Sequence, residues 1–206
     1  MTATDTNSIR RALRAGLDQE SADAAGRLAE GAADAGLLDV AYASADTPLG
    51  KALVAMTDRG LVTLSLPNYA EQEALDRLAA EISPRILESR SRVDEALREL
   101  DEYFEGRRQS FDVPIDWRLV RSPFRRRILD ETARLPFGVT ATYGEVAARA
   151  GSPRAHRAAG SALGSNPIPI VVPCHRVVRS GGHIGNYGGG PEMKRFLLEL
   201  EGAIGD

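Results

Sequence analysis

The feature that most constrains this 206-residue chain is a crowd of helix starts and stops in its second half. Ser122-Pro123 puts a side-chain acceptor at an N-cap and a proline at the first helical position, where a missing N–H costs nothing. This predicts a helix to about Leu135. Thr142-Tyr143-Gly144-Glu145 has the S/T-x-x-E spacing of a capping box, in which the two side chains satisfy each other's free backbone N–H groups. That helix is expected to close at Gly151, a residue suited to a left-handed cap. Ser152-Pro153 then predicts another start and a helix to about Leu163. Two short helices around a tight glycine turn form a helix-turn-helix outline.

The first half reads differently. Leu38 to Tyr42 alternates, and Lys51–Met56 and Leu61–Leu66 flank the turn Asp58-Arg59-Gly60, which predicts a hairpin. Helices are expected over Glu71–Ile82 and Val93–Phe104, the second with an apolar stripe of Val93, Leu97, Leu100 and Phe104. The expected organisation is α+β. It has an extension over residues 1–37, a small α/β domain over 38–110, a linker over 111–121 and a helical domain over 122–206. Ile9, Leu13 and Leu17 allow a short helix in the extension, but its Ala, Asp and Gly content favours loose packing. Phe111 to Asp116, with Pro114 inside, reads as a linker strand.

Composition excludes several functions. No apolar run long enough to span a membrane exists, and Met1 to Arg14 has no apolar signal region. One cysteine can form neither an internal disulfide nor a Cys-rich zinc site, and a free thiol points to a cytoplasmic protein. The net charge of −3 argues against a protein that coats nucleic acid. Yet nine Arg and three acids fall between Arg118 and Arg157, a local footprint for a phosphate backbone. A solvated helix face accounts for the same charges.

The predicted helix before Leu163 has small side chains. Ala155, Ala158, Ala159 and Ala162 lie on one side, and Arg154, Arg157 and Ser161 on another. Such a helix suits a narrow groove better than base reading in the major groove, although alanines packing on a neighbouring helix fit the pattern equally. Beyond it, the apolar run Ile168–Pro173 ends at Cys174-His175-Arg176-Val177-Val178. A lone cysteine there is ordinarily a small buried hydrophobe. In an extended chain Cys174 and His175 would point to opposite faces, so they act together only through a turn at Pro173 or a bridging water. Glu201 falls on the apolar stripe of Met193, Leu197 and Leu200, where a carboxylate needs a donor, and a histidine would serve. The ordinary alternative is a helix-terminal Glu in solvent.

With these residues, the chain resembles the O-6-alkylguanine-DNA alkyltransferases, or methylated-DNA–protein-cysteine methyltransferases. Beyond Pro173-Cys174-His175-Arg176-Val177, the resemblance runs back through Asn166-Pro167-Ile168-Pro169, Arg157-Ala158-Ala159-Gly160, Thr142-Tyr143-Gly144-Glu145 and Ser122-Pro123-Phe124. It runs forward through Gly185-Asn186-Tyr187-Gly188-Gly189-Gly190, Lys194 and Glu201-Gly202, and takes in Thr47-Pro48-Leu49-Gly50 and Tyr103-Phe104-Glu105-Gly106. It implies a ribonuclease H-like N-terminal domain and a winged helix-turn-helix-like C-terminal domain. It also implies a monomer, with cooperative assembly on DNA as a further possibility, that binds the minor groove of double-stranded DNA carrying alkylated guanine.

By the same resemblance Cys174 accepts the alkyl group, His175 acts as base through a water, and Glu201 orients His175. Arg157 resembles the finger that fills the stack when the nucleotide is flipped out, Tyr143 contacts the rotated phosphate and the base, and Asn166 holds the turn. Cys174, Val177, Val178, Tyr187 and Gly188 would line the guanine pocket, and Arg154, Ala155, Ala158, Ser122 and Arg125 would contact DNA. Each chain would act once, on 6-O-methylguanine, with 4-O-methylthymine left open as a second substrate, and with no cofactor.

The chain departs from some relatives. It lacks the residues of zinc-holding members, and Gly188 stands where some have Ser. Gly164 replaces a basic residue, which Arg125, Arg126 and Arg127 could offset. Two other readings remain: a non-catalytic lesion sensor, which the presence of Cys174 opposes, and a Cys-dependent hydrolase, for which no oxyanion hole is legible.

Overall fold

The computed structural model describes residues 21, 24–32 and 34–205. The N-terminal half is built on a four-stranded sheet in the order β3-β2-β1-β4. Its strands are β1 (Val40–Thr47), β2 (Gly50–Thr57), β3 (Gly60–Ser65) and β4 (Ile86–Glu88). β1, β2 and β3 form an antiparallel meander, and β4 pairs parallel with β1. Period-two alternation sends Ala41, Ala43, Ala45, Val54 and Leu64 into one core, and Val40, Leu53, Ala55 and Val62 into a second. Helix α1 (Glu71–Glu81) covers the second face through Leu78, and α2 (Arg90–Phe104) covers the first through Val93, Leu97, Leu100 and Tyr103.

The predicted hairpin and both helices are thus present. β4 is too short to show a period of its own. Phe111 to Asp116 is a strap and not a strand, bonded to β3 by Leu61 N to Pro114 O (2.7 Å) and Asp116 N to Leu61 O (2.9 Å). The strap passes so close that a Cβ at Gly60, whose φ is +120°, would lie 2.1 Å from Pro114 O. Where composition suggested a loose extension, residues 24–32 are helical and Ala29 is buried. Ile9, Leu13 and Leu17 lie outside the described residues.

The second half contains α3 (Pro123–Ala133), β5 (Ala141–Thr142), α4 (Tyr143–Arg149), α5 (His156–Gly164), β6 (Val177–Val178) and α6 (Gly190–Leu200). Ser122 caps α3, and the Thr142/Glu145 box caps α4 with both reciprocal hydrogen bonds made. The last start signal is displaced. Ser152-Pro153 opens a turn, and α5 begins at His156 with Ala155 as N-cap. Arg154 therefore precedes the helix and does not share a helical face with Arg157.

One core cluster runs through both halves, from the sheet residues to Ile128, Val146, Ile168 and Leu197. Thr63 Oγ1 and Leu64 N both donate to Pro167 O at 2.9 Å, so β3 is fastened to the segment that leads to Cys174.

Candidate active site

The apolar run before Cys174 is not extended. Pro169 bridges to Val172, Val172 N donates to Ile168 O at 2.9 Å, and Ile170 takes φ +74°. A β-branched residue in that region costs about 1–3 kcal/mol and persists only where its surroundings enforce it. Here buried Ile168, Ile170 and Val172 and the Asn166 side chain do so. Asn166 accepts from Ile168 N (3.0 Å) and donates to Val172 O (2.8 Å) and to Cys174 Sγ (3.2 Å). The chain then turns through a 3-10 helix over Cys174–Arg176. The turn foreseen at Pro173 is present, and the objection drawn from an extended chain falls away.

His175 is fully buried, and its Nε2 lies 2.8 Å from Glu201 Oε1. The carboxylate is also met by Tyr103 Oη (2.7 Å), Arg176 Nε (2.7 Å), Arg176 Nη2 (2.9 Å) and Gly138 N (3.2 Å). Glu201 closes α6 as its C-cap and is buried, as the apolar stripe required. Burial alone would raise its pKa. The bonds from His175 and Arg176 outweigh burial and hold it down at about 2. An ionised Glu201 accepts, so Nε2 of His175 carries the proton, and Nδ1, buried without a protein partner, is the basic nitrogen. Burial lowers the His175 pKa, keeping the ring neutral, and burial pushes the Cys174 thiol up despite the Asn166 amide and the nearby Lys194 charge. The resting pair is a thiol and a neutral imidazole.

Cys174 borders two hollows. One, of about 610 Å³, is rimmed by Tyr143, His156, Arg157, Gly160, Arg179 and Tyr187. Tyr143 opens α4, packs its ring on Gly160, and donates its hydroxyl to Asn186 O at 3.4 Å. Arg157, Ala158 and Ser161 form the exposed face of α5, whereas Ala159 and Ala162 are buried and Ala155 is half-buried. The alanines thus divide between the two faces. The other hollow, of about 420 Å³, lies between the halves and is lined by Leu66, Tyr69, Arg125, Asn166, Cys174 and Gly188. Arg125 belongs to this cleft and not to the Arg157 rim, donating to Ser165 O. Ser122 is exposed at the start of α3, and Val177 and Val178 are buried in β6.

Several of the nine Arg between 118 and 157 are engaged within the fold: Arg118 with Asp116, Arg126 with Asp130, Arg134 with Glu131, and Arg121 at 3.8 Å from Glu81. The footprint for an external anion narrows to the exposed Arg149, Arg154 and Arg157 and their neighbours.

Three contributors had no role in the sequence reading. Tyr103 was overlooked beside Phe104 on its stripe, and Arg176 sat unremarked inside the motif. Lys194 was matched without a function. Lys194 is fully buried and donates to Val177 O (2.5 Å) and Asn186 O (3.3 Å), with burial lowering its pKa to about 8. A lysine in the apolar register of α6 was the available signal.

The family model described as the ribonuclease-like domain of 6-O-methylguanine DNA methyltransferase matches residues 40–117, and that of its DNA-binding domain matches 123–203. A methylated-DNA–protein-cysteine methyltransferase of Methanosarcina acetivorans is 35% identical over 79% of this chain and 98% of its own length. The constitutive enzyme of that name in Bacillus subtilis is 34% identical over 78% and 94%. A crystal structure of the Mycobacterium tuberculosis OGT in complex with DNA superposes with a TM-score of 0.68 at 34% identity, covering 79% of this chain and 93% of that one. With both halves matched and these relatives covered almost end to end, the chain belongs to the methylated-DNA–protein-cysteine methyltransferase family.

Proposed function

We propose that this protein repairs DNA by moving the alkyl group of an O-6-alkylated guanine onto Cys174, once per chain. One observation carries the reading: the chain's only thiol lies at the base of a cavity rimmed by Tyr143 and Arg157, beside a histidine held in a single tautomer by a buried carboxylate. Family membership and the DNA-bound relative support DNA as the partner, and we read it as double-stranded.

The exposed face of α5 carries small side chains around Arg157, so its backbone can approach a narrow minor groove. The target carbon is inaccessible within a stacked duplex, and the nucleotide is extruded into the cavity, at a cost of about a few kcal/mol that is least for a mispaired lesion. Arg157 fills the place it leaves, and Tyr143 contacts the rotated backbone. His175 Nδ1 takes the thiol proton through a bridging water, the imidazolium being held by Glu201. Sγ attacks the alkyl carbon, the carbon–O-6 bond breaks, the electron pair goes to O-6, and the ring takes up a proton to leave an unmodified guanine still joined to its strand, in balance with the proton given to His175. The thioether is inert, so each chain is consumed by one transfer. Neither a sensor nor a hydrolase gains support from any feature of the site.

The test is the intact mass of the protein after mixing with duplex DNA carrying one O-6-methylguanine. A gain of one methyl, mapped to Cys174, is expected. Multiple turnovers, or methyl on another residue, overturns the reading.

A further inference from the structure

The pocket loop after Tyr187 has no side chain at Gly188, yet a polar atom stands at that place. A Cβ built at Gly188 would lie 3.3 Å from the hydroxyl of Tyr69, a residue of the N-terminal half. The approach is held on both sides. Asn68 Nδ2 donates to Gly188 O at 2.9 Å, and Tyr69 N donates to Leu66 O at 3.0 Å. Tyr69 is 48% exposed and lines the cleft between the halves, which meets the cavity rimmed by Tyr143 and Arg157 at Cys174, Tyr187 and Gly188. Its hydroxyl makes no hydrogen bond among the described residues.

Asn166, Lys194 and Tyr143 nearby are already bonded. The Asn166 amide serves Val172 O and Sγ, and Lys194 serves two carbonyls. Tyr143 bonds Asn186 O, and the Tyr187 hydroxyl, although without a protein partner, is buried away from solvent with its ring edge-on to His175. A displacement at carbon leaves the departing electron pair on O-6, and that oxygen needs a donor in the transition state more than in the ground state.

We propose that Tyr69 is a catalytic donor, supplied by the N-terminal domain, that bonds the leaving oxygen of the alkylated base where the pocket loop offers only Gly188. The proposal rests on alkyl transfer to Cys174. As the Sγ–carbon bond forms and the carbon–O-6 bond breaks, the phenol shares the charge on O-6 while keeping its own proton, and the ring is protonated afterwards. A device of this kind explains why the two halves are locked together at Asn68, since a donor on a separate domain stabilises the leaving oxygen only if its position is fixed.

Single-turnover transfer from duplex O-6-methylguanine DNA, followed by intact mass, tests this. Wild-type protein must first gain one methyl on Cys174, and its failure to do so defeats the underlying reading and not this one. Tyr69→Phe is then expected to slow the rate at saturating DNA roughly tenfold, less than the roughly hundredfold or more for loss of a fully enclosed donor because the group is half exposed, with half-saturation unchanged. The φ of Gly188 lies outside the left-handed region, and its neighbour is the tip of a side chain, so Gly188→Ser is accommodated. Adding Gly188→Ser to Tyr69→Phe is expected to restore most of the rate, and adding Gly188→Ala to restore none. A wild-type rate for Tyr69→Phe, equal recovery with Gly188→Ala, or a change confined to half-saturation overturns the proposal.

Discussion

The two ends of the site handle their polar groups in opposite ways. At the Glu201 end the charges are answered within the protein: one carboxylate is met by Tyr103, His175, Arg176 and the backbone of Gly138, and only His175 Nδ1 is left for the reaction. At the mouth, Arg157 is exposed, and the half-exposed Tyr69 hydroxyl has no partner among the described residues. A buried ion is tolerable only when fully bonded, so the first end is part of the fold. Groups left open beside a cavity await a ligand, so the second end belongs to function. Substitutions should separate accordingly, into losses of stability and losses of rate.

The largest effect expected is at Cys174. Cys174→Ser should abolish transfer by intact mass while leaving affinity for methylated duplex largely intact in a gel-shift titration. A parallel collapse of binding would mean the thiol also supports the fold, blurring the division between the two ends.

Next comes Glu201→Gln, which leaves Arg176 buried without its counter-charge. A loss of about 3–5 kcal/mol in denaturant unfolding is expected. The pH profile sharpens this. The folded pKa values of both His175 and Glu201 are depressed, so the unfolded chain binds more protons as pH falls. Stability should decline below about 6.5 through His175 and decline further between about 4.3 and 2 through Glu201. The lower limb should be missing from Glu201→Gln. Unchanged stability in that variant would break the comparison.

Arg157→Ala should slow repair of duplex DNA roughly tenfold to a hundredfold, because extrusion loses its replacement for lost stacking. Reaction with free O-6-alkylguanine should change little, and so should thermal stability. Arg157→Lys should recover only part of the duplex rate, since lysine keeps the charge without the planar group. Equal losses on base and duplex would place Arg157 with the structural end.

The smallest effect should come from Tyr103→Phe, which removes one of the bonds to Glu201. About 1–2 kcal/mol of stability should disappear, with a modest slowing of transfer at saturating DNA. A larger loss of rate than of stability would show that the N-terminal domain tunes the relay as well as supporting it.

Local signals were the legible ones. The Thr142/Glu145 box and the Ser122-Pro123 start act within a few residues, and both stand where they were expected. Ser152-Pro153 carried the same kind of signal and was overridden: the chain first completes a turn, and α5 starts later, with Ala159 and Ala162 buried. Glu201 was legible because a carboxylate on an apolar stripe is anomalous in itself. Its union with Tyr103 was not, because those residues are 98 apart and nothing in either neighbourhood encodes the pairing.

What the sequence by itself determined was the set of groups and their local frames: a lone thiol after a proline, a histidine next to it, a carboxylate on a buried face, and small residues around one arginine. Capping, periodicity and residue chemistry are short-range properties, and they can be read from neighbours. Only the tertiary structure decided that the run before Cys174 turns at Ile170, that Arg176 and Tyr103 share the carboxylate with His175, and that Tyr69 stands over Gly188. The shared carboxylate and the Tyr69–Gly188 approach each depend on distant segments packing into one core, and the turn at Ile170 is held by side chains buried in that core. Burial there makes an unmet polar group costly, so the partner each group finds is chosen by the fold and not by its neighbours in the chain.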